Sequence, residues 1–135
     1  MKNKSKLQKM RQVKSGEKAY PKEWLYLNEK VVTPRNVAEV FAEDAIMNAQ
    51  LWEDAGVVEI ELPEDAKSLD MEVTETDFGD EFSNEYLLKN HIQSAFLATI
   101  VPEDYEQAKV AMKRITAALG GYFCGDTPDF MPVVK

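Results

Sequence analysis

The chain has 135 residues, 44% of them apolar and 10% aromatic, and carries a formal net charge of −8 with a pI near 4.7. That length suits one domain of ordinary size, and the apolar content excludes a disordered chain. No run approaches eighteen consecutive apolar residues, so no transmembrane helix is expected.

The charge is sorted along the chain rather than mixed. Residues 1–35 hold ten of the sixteen Lys/Arg and only three acidic residues, whereas residues 36–135 balance at −15. The first nineteen residues read as a basic, flexible tail on an acidic domain over 20–135. Lys2, Lys4, Lys6, Lys9, Arg11, Lys14 and Lys18 supply its charge. Leu7, Met10 and Val13 recur every third residue, an amphipathic pattern with too little apolar surface to hold a helix alone. No apolar segment of a secretory signal follows the N-terminal charges, and the single cysteine, Cys124, has no partner for an internal disulfide. Both features lead to the expectation of a cytoplasmic protein with no membrane partner.

Order is expected from Pro21. Trp24, Leu25, Tyr26, Leu27, Val31 and Val32 are the aromatic and β-branched types of a strand, interrupted by Asn28-Glu29-Lys30 as a turn or bulge. Thr33 followed by Pro34 then predicts a helix start, and the stripe Val37, Phe41, Ala45, Asn48 and Trp52 predicts a helix over residues 34–55, closed by Gly56. Residues 57–62 and 69–74 each alternate apolar with acidic positions, which predicts a hairpin. If Val58, Ile60, Leu69 and Met71 turn inward, Glu59, Glu61, Asp70 and Glu72 share the opposite face. Like charges across a ladder cost about 0.2–1 kcal/mol each, so that face calls for compensation by solvent, by a partner or by the tail.

Further along, Thr76 to Phe82 reads as an acidic loop, with Ser83 capping a short helix that runs to about Asn90. Ser94 to Val101 is apolar on both faces, the pattern of a central strand. Pro102 opens a second helix with the stripe Tyr105, Ala108, Met112, Ile115 and Leu119, closed by Gly120-Gly121. Tyr122-Phe123-Cys124 reads as a strand, and Pro132 argues that residues 130–134 form an edge strand or an extended tail. The expected class is α+β: a small antiparallel sheet with helices on one face, whose first six elements allow the ferredoxin-like βαββαβ order followed by an extra helix and strand.

Chemical signatures are sparse. His91, the one histidine, lies in no metal or triad motif, although it is the leading acid/base candidate of an enzyme reading. Cys124 stands in an apolar run, the setting of a buried structural thiol. Asp77, Asp80, Glu81 and Glu85 beside Gly79 lack the spacing of a calcium loop. Phosphate-cradling glycine motifs are missing, so neither a cofactor nor a metal is expected. The leading expectation is a small interaction or regulatory module. Glu59, Glu61, Asp70 and Glu72 would meet a basic partner surface, the module's own tail (Lys4, Lys6, Lys9, Arg11, Lys14), or a second copy. A small-ligand sensor or enzyme, with a pocket lined by Trp24, Trp52 and Tyr122, is the alternative. A nucleic-acid accessory role through the tail ranks last, because the acidic body repels the same polyanion.

Overall fold

The computed structural model describes residues 20–135; the tail expected over 1–19 lies outside them. Within the described residues, seven strands make one antiparallel sheet: β1 (Glu23–Asn28), β2 (Ala49–Trp52), β3 (Val57–Glu61), β4 (Ser68–Thr74), β5 (Ser94–Thr99), β6 (Tyr122–Gly125) and β7 (Val133–Val134). Their spatial order is β2-β3-β4-β5-β1-β6-β7. Three α-helices accompany them, α1 (Pro34–Val40), α2 (Glu81–Lys89) and α3 (Tyr105–Leu119). The α+β class and the antiparallel sheet are as the sequence implies.

Two features of the architecture differ from expectation. The element order is β-α-β-β-β-α-β-α-β-β, with a strand where the sequence pattern suggested the second half of a helix, so the six-element ferredoxin-like order is not what the sheet displays. The helices also occupy both faces. Trp24, Tyr26, Phe96 and Phe123 join α1 and α3 in the larger core, whereas Leu25, Leu27, Ala95 and Cys124 join Leu87 of α2 in a smaller one. The cause is β1, whose residues Trp24 to Asn28 are all buried. Successive side chains of a strand point to opposite faces, so an unbroken apolar run in a central strand obliges both faces to be covered.

The helix expected over 34–55 stops after seven residues. Thr33 and Asn36 form a reciprocal capping box and Pro34 takes the first turn, as the sequence implies. The stop is set by Asp44. Its Oδ1 accepts from the backbone N–H groups of Ile46 (2.8 Å) and Met47 (2.7 Å), and its Oδ2 accepts from the Arg114 guanidinium of α3. A side chain that captures backbone donors two and three residues onward competes with helix propagation. The chain turns there, and Ala49–Trp52 pairs along β3 as an edge strand. Of the expected stripe only Val37 and Phe41 are buried; Ala45, Asn48 and Trp52 are exposed.

The hairpin of β3 and β4 forms as expected, and its register sets Glu59 opposite Asp70 and Ile60 opposite Leu69. The short helix is capped by Asp80 rather than Ser83: the Asp80 carboxylate accepts from the Ser83 N–H at 2.8 Å, which moves the helix start to Glu81. In α3 the stripe Tyr105, Ala108, Met112 and Ile115 is buried as expected, together with Ala111.

The end of α3 is fastened to β1. Asn28, 2% exposed, donates to the Tyr26 hydroxyl (2.8 Å) and the Leu119 carbonyl (3.1 Å), and accepts from the Lys30 N–H (2.9 Å). The Tyr26 hydroxyl in turn donates to the Gly120 carbonyl (2.7 Å). Carbonyls left over at a helix C-terminus need such donors when buried. Gly121 is required by this closeness: its φ is +76°, and a Cβ there would lie 2.5 Å from the Leu27 carbonyl oxygen.

Two outcomes are expected from these contacts. Asn28→Ala strands the Leu119 carbonyl and should cost about 2–3 kcal/mol in urea unfolding, with an unchanged dependence on denaturant. Asp44 is held down to about pKa 2, first by the backbone N–H groups of Met47 and Ile46 and then by Arg114. Its folded pKa lies below the ordinary value of about 3.9, so its stabilisation is complete above that pH and is lost as pH falls through 2. Asp44→Ala should therefore lower Tm at neutral pH, and the gap to the parent should close across the acid range of a thermal melt.

Candidate functional site: the open half of the sheet

The two faces of the sheet are covered unequally. Helices α1 and α3 cover the first face, and α2 with the segment after β6 covers only the middle of the second. The second face of β2, β3 and β4 is left open, and the strand register arranges its side chains in two parallel rows. One row runs Gln50, Glu59, Asp70, Thr99 and Glu23 across five strands. Asp126 extends it, since its N–H donates to the Glu23 carbonyl at 3.0 Å. The neighbouring row runs Trp52, Val57, Glu72, Leu97 and Leu25. An acidic row thus lies beside a mainly apolar one, with Trp52 46% and Leu97 42% exposed.

The four carboxylates predicted to share a face do so. Glu59 and Asp70 are directly paired, while Glu61 and Glu72 stand opposite Ser68 and Val57. Asp70 also accepts from the Ser68 hydroxyl at 2.7 Å. Among the described residues the ion pairs join Arg35 to Glu53 and Arg114 to Asp44, and neither involves these carboxylates. Lys4, Lys6, Lys9, Arg11 and Lys14, the other predicted binding residues, lie outside the described residues.

The face is also concave. A trough of about 280 Å³ lies over Glu23, Asp70, Glu72, Leu97 and Thr99, and a second cavity of about 640 Å³ continues it toward α2 over Leu25, Leu97, Phe78 and Phe82. Leu97 and Asp126 line both. Asp77 and Asp80 border the larger cavity, but each is engaged locally: Asp77 accepts from the Gly79 N–H (3.0 Å) and the Asn84 amide (2.9 Å), and Asp80 caps α2. Sequence reasoning missed Glu23, Asp126, Trp52 and Leu97 as members of this surface. No periodicity relates them, because they come from four separate segments that meet only through strand order.

The alternative pocket of Trp24, Trp52 and Tyr122 does not form. Trp24 is buried under α3, while Trp52 lies on the open face at the far edge and Tyr122 packs beside Tyr86, its hydroxyl 2.8 Å from the Tyr86 hydroxyl. His91 is exposed in a left-handed turn after α2, with φ +58°, and lines neither cavity. Cys124 is fully buried, and loss of hydration pushes its thiol up to about 12, which removes the thiolate at neutral pH. Among the described residues, no group of three or more His, Cys, Asp or Glu is arranged to hold a metal ion, and no helix is long and apolar enough to cross a membrane. The chain matches no family model, and comparison with curated proteins and with solved structures gives no significant match.

Asp126 is the carboxylate of this face whose ionisation is disfavoured. Partial removal from water and then the Glu23 charge raise its pKa above the ordinary carboxylate value. A raised carboxylate pKa means that ionisation opposes folding: the penalty is absent below the unfolded value of about 3.9 and complete above the folded one. Asp126→Asn should therefore raise Tm at neutral pH, and the gain should vanish in melts taken below that range.

Proposed function

We propose that this protein is a non-catalytic interaction module whose open sheet face captures a basic polypeptide with interspersed apolar side chains. The observation that carries the reading is the register. It sets Glu59, Asp70, Glu23 and Asp126 in one row beside Trp52, Val57 and Leu97 in the next, with no described basic side chain ion-paired to the acidic row. The acidic row attracts and orients a cationic partner, while burial of Trp52 and Leu97 supplies contact energy that is insensitive to salt. The chemistry points the same way: carboxylates are acceptors only, and a face lined by them suits ammonium and guanidinium donors.

The test is titration of the full chain with a short synthetic peptide of alternating lysine and leucine, read by the fluorescence of half-exposed Trp52. A glutamate–leucine peptide serves as control. Four screened surface pairs at about 0.3–0.5 kcal/mol each amount to about 1–2 kcal/mol. The combined variant Glu59→Gln, Glu61→Gln, Asp70→Asn and Glu72→Gln should therefore bind the lysine peptide roughly tenfold more weakly. Its affinity should also depend less steeply on salt. Unchanged affinity and salt dependence in that variant would overturn the reading.

A further inference from the structure

The larger cavity of the open face has a chemistry of its own. Leu25, Leu97, Phe78, Phe82 and Phe130 wall a volume of about 640 Å³, within the range of ligand pockets, about 300–1,000 Å³. The rings of Tyr86, Phe130 and Phe82 form a stack, with successive centroids 4.2 Å and 6.2 Å apart. Their planes lie within 21° and 13° of parallel. Phe82 ends that stack and is 63% exposed, so the stack is open to one more planar group.

Charge decides which planar group fits. Asp77, Asp80 and Asp126 line the same cavity, and among the described residues no Lys or Arg does so. Asp77 and Asp80 are engaged in the turn and cap before α2, an end whose backbone partial charge is itself positive. Asp126 joins no ion pair among the described residues, and partial burial and then the Glu23 charge disfavour its ionised form. A cation bound there relieves that penalty. A guanidinium answers both walls. It stacks on aromatic faces and pairs with a carboxylate through two parallel hydrogen bonds, whereas an ammonium is a compact, strongly hydrated charge.

We infer that this cavity takes one arginine side chain of the basic polypeptide, its guanidinium held against Phe82 and Asp126 and its methylenes over Leu97. The inference rests on the docking reading above. Continuity delivers the residue: Leu97 and Asp126 line the trough as well, so a chain lying along the acidic row passes the mouth of the cavity. Lysine and arginine carry the same charge along the row, but at this one position arginine is preferred.

The test compares peptides of equal charge on the full chain. The lysine–leucine peptide is set against a series carrying arginine at one lysine position, each position in turn. Trp52 fluorescence reads affinity, and backbone amide shifts locate the contact. The best arginine peptide should bind roughly fivefold more tightly, the gain expected of a cation stacked on a ring. Its binding should also shift the amides of Phe82 and Asp126. Phe82→Ala, at a mostly exposed ring, and Asp126→Asn should each bring the two affinities together.

Equal affinities throughout the series, or a preference that survives both substitutions, would overturn the inference. So would a peptide with phenylalanine at one leucine position that outbinds every arginine peptide, which would make the cavity an apolar anchor site. Ethylguanidinium that shifts the Phe82 and Asp126 amides when no arginine peptide does would assign the cavity to a small ligand instead. In each of these cases the docking reading stands if the peptides still lose affinity in the variant lacking Glu59, Glu61, Asp70 and Glu72. Peptide binding that ignores those four carboxylates would remove the docking reading itself.

Discussion

The structure depends on the double burial of β1. Five successive residues, Trp24 to Asn28, are removed from water, so apolar groups must be covered on both sides of one strand. Burying side chains of the Trp, Leu and Tyr class contributes about 1.5–3 kcal/mol apiece, which outweighs the cost of bringing distant segments together. One face is met by α1 and α3. The other is met by α2, docked through Leu87, and by Phe130 from the segment after β6. This cover extends only as far as the centre of the sheet requires. The wing of β2, β3 and β4 is covered on its first face alone, and its second face becomes the open surface.

Local polar contacts then decide how the wing is built. Asp44 takes two backbone donors and an arginine, which ends α1 early and frees residues 49–52 to pair with β3. Without that turn Gln50 and Trp52 would not stand on the open face. Asn28 and Tyr26 perform the matching task at the other side of the molecule. They satisfy carbonyls at the C-terminal end of α3 and so anchor the helix against the same strand that carries Glu23. A structural turn and a structural clamp thus set the two ends of one row of side chains.

The electrostatic character of that row follows from its place rather than from any single residue. An isolated surface carboxylate is well solvated and costs nothing. Glu59 stands opposite Asp70, and two strands away Asp126 lies beside Glu23, where partial removal from water and then the Glu23 charge lift its pKa. In the same structure the thiol of Cys124 is sealed in the smaller core, and His91 stands in an exposed turn and lines neither cavity.

Local pattern was sufficient wherever one element carried its own signal. Alternation in residues 57–62 and 69–74 gave the hairpin and the shared face of Glu59, Glu61, Asp70 and Glu72, because strand side chains alternate whatever the surroundings. The Thr33-Pro34 start and the stripe of α3 were legible for similarly local reasons. The helix over 34–55 misled because residues 45–52 suit a helical stripe and a short strand alike; the turn at Asp44 and pairing with β3 decide for the strand. Helices on a single face, a pocket of Trp24, Trp52 and Tyr122, and the membership of Glu23, Asp126 and Leu97 in the acidic surface were likewise questions of strand order. The sequence by itself determined which residues alternate and what charge each segment bears. Which face each helix covers, and hence which carboxylates stand together, was decided only when long-range pairing placed β1 at the centre, since burial is a property of neighbours and not of the chain.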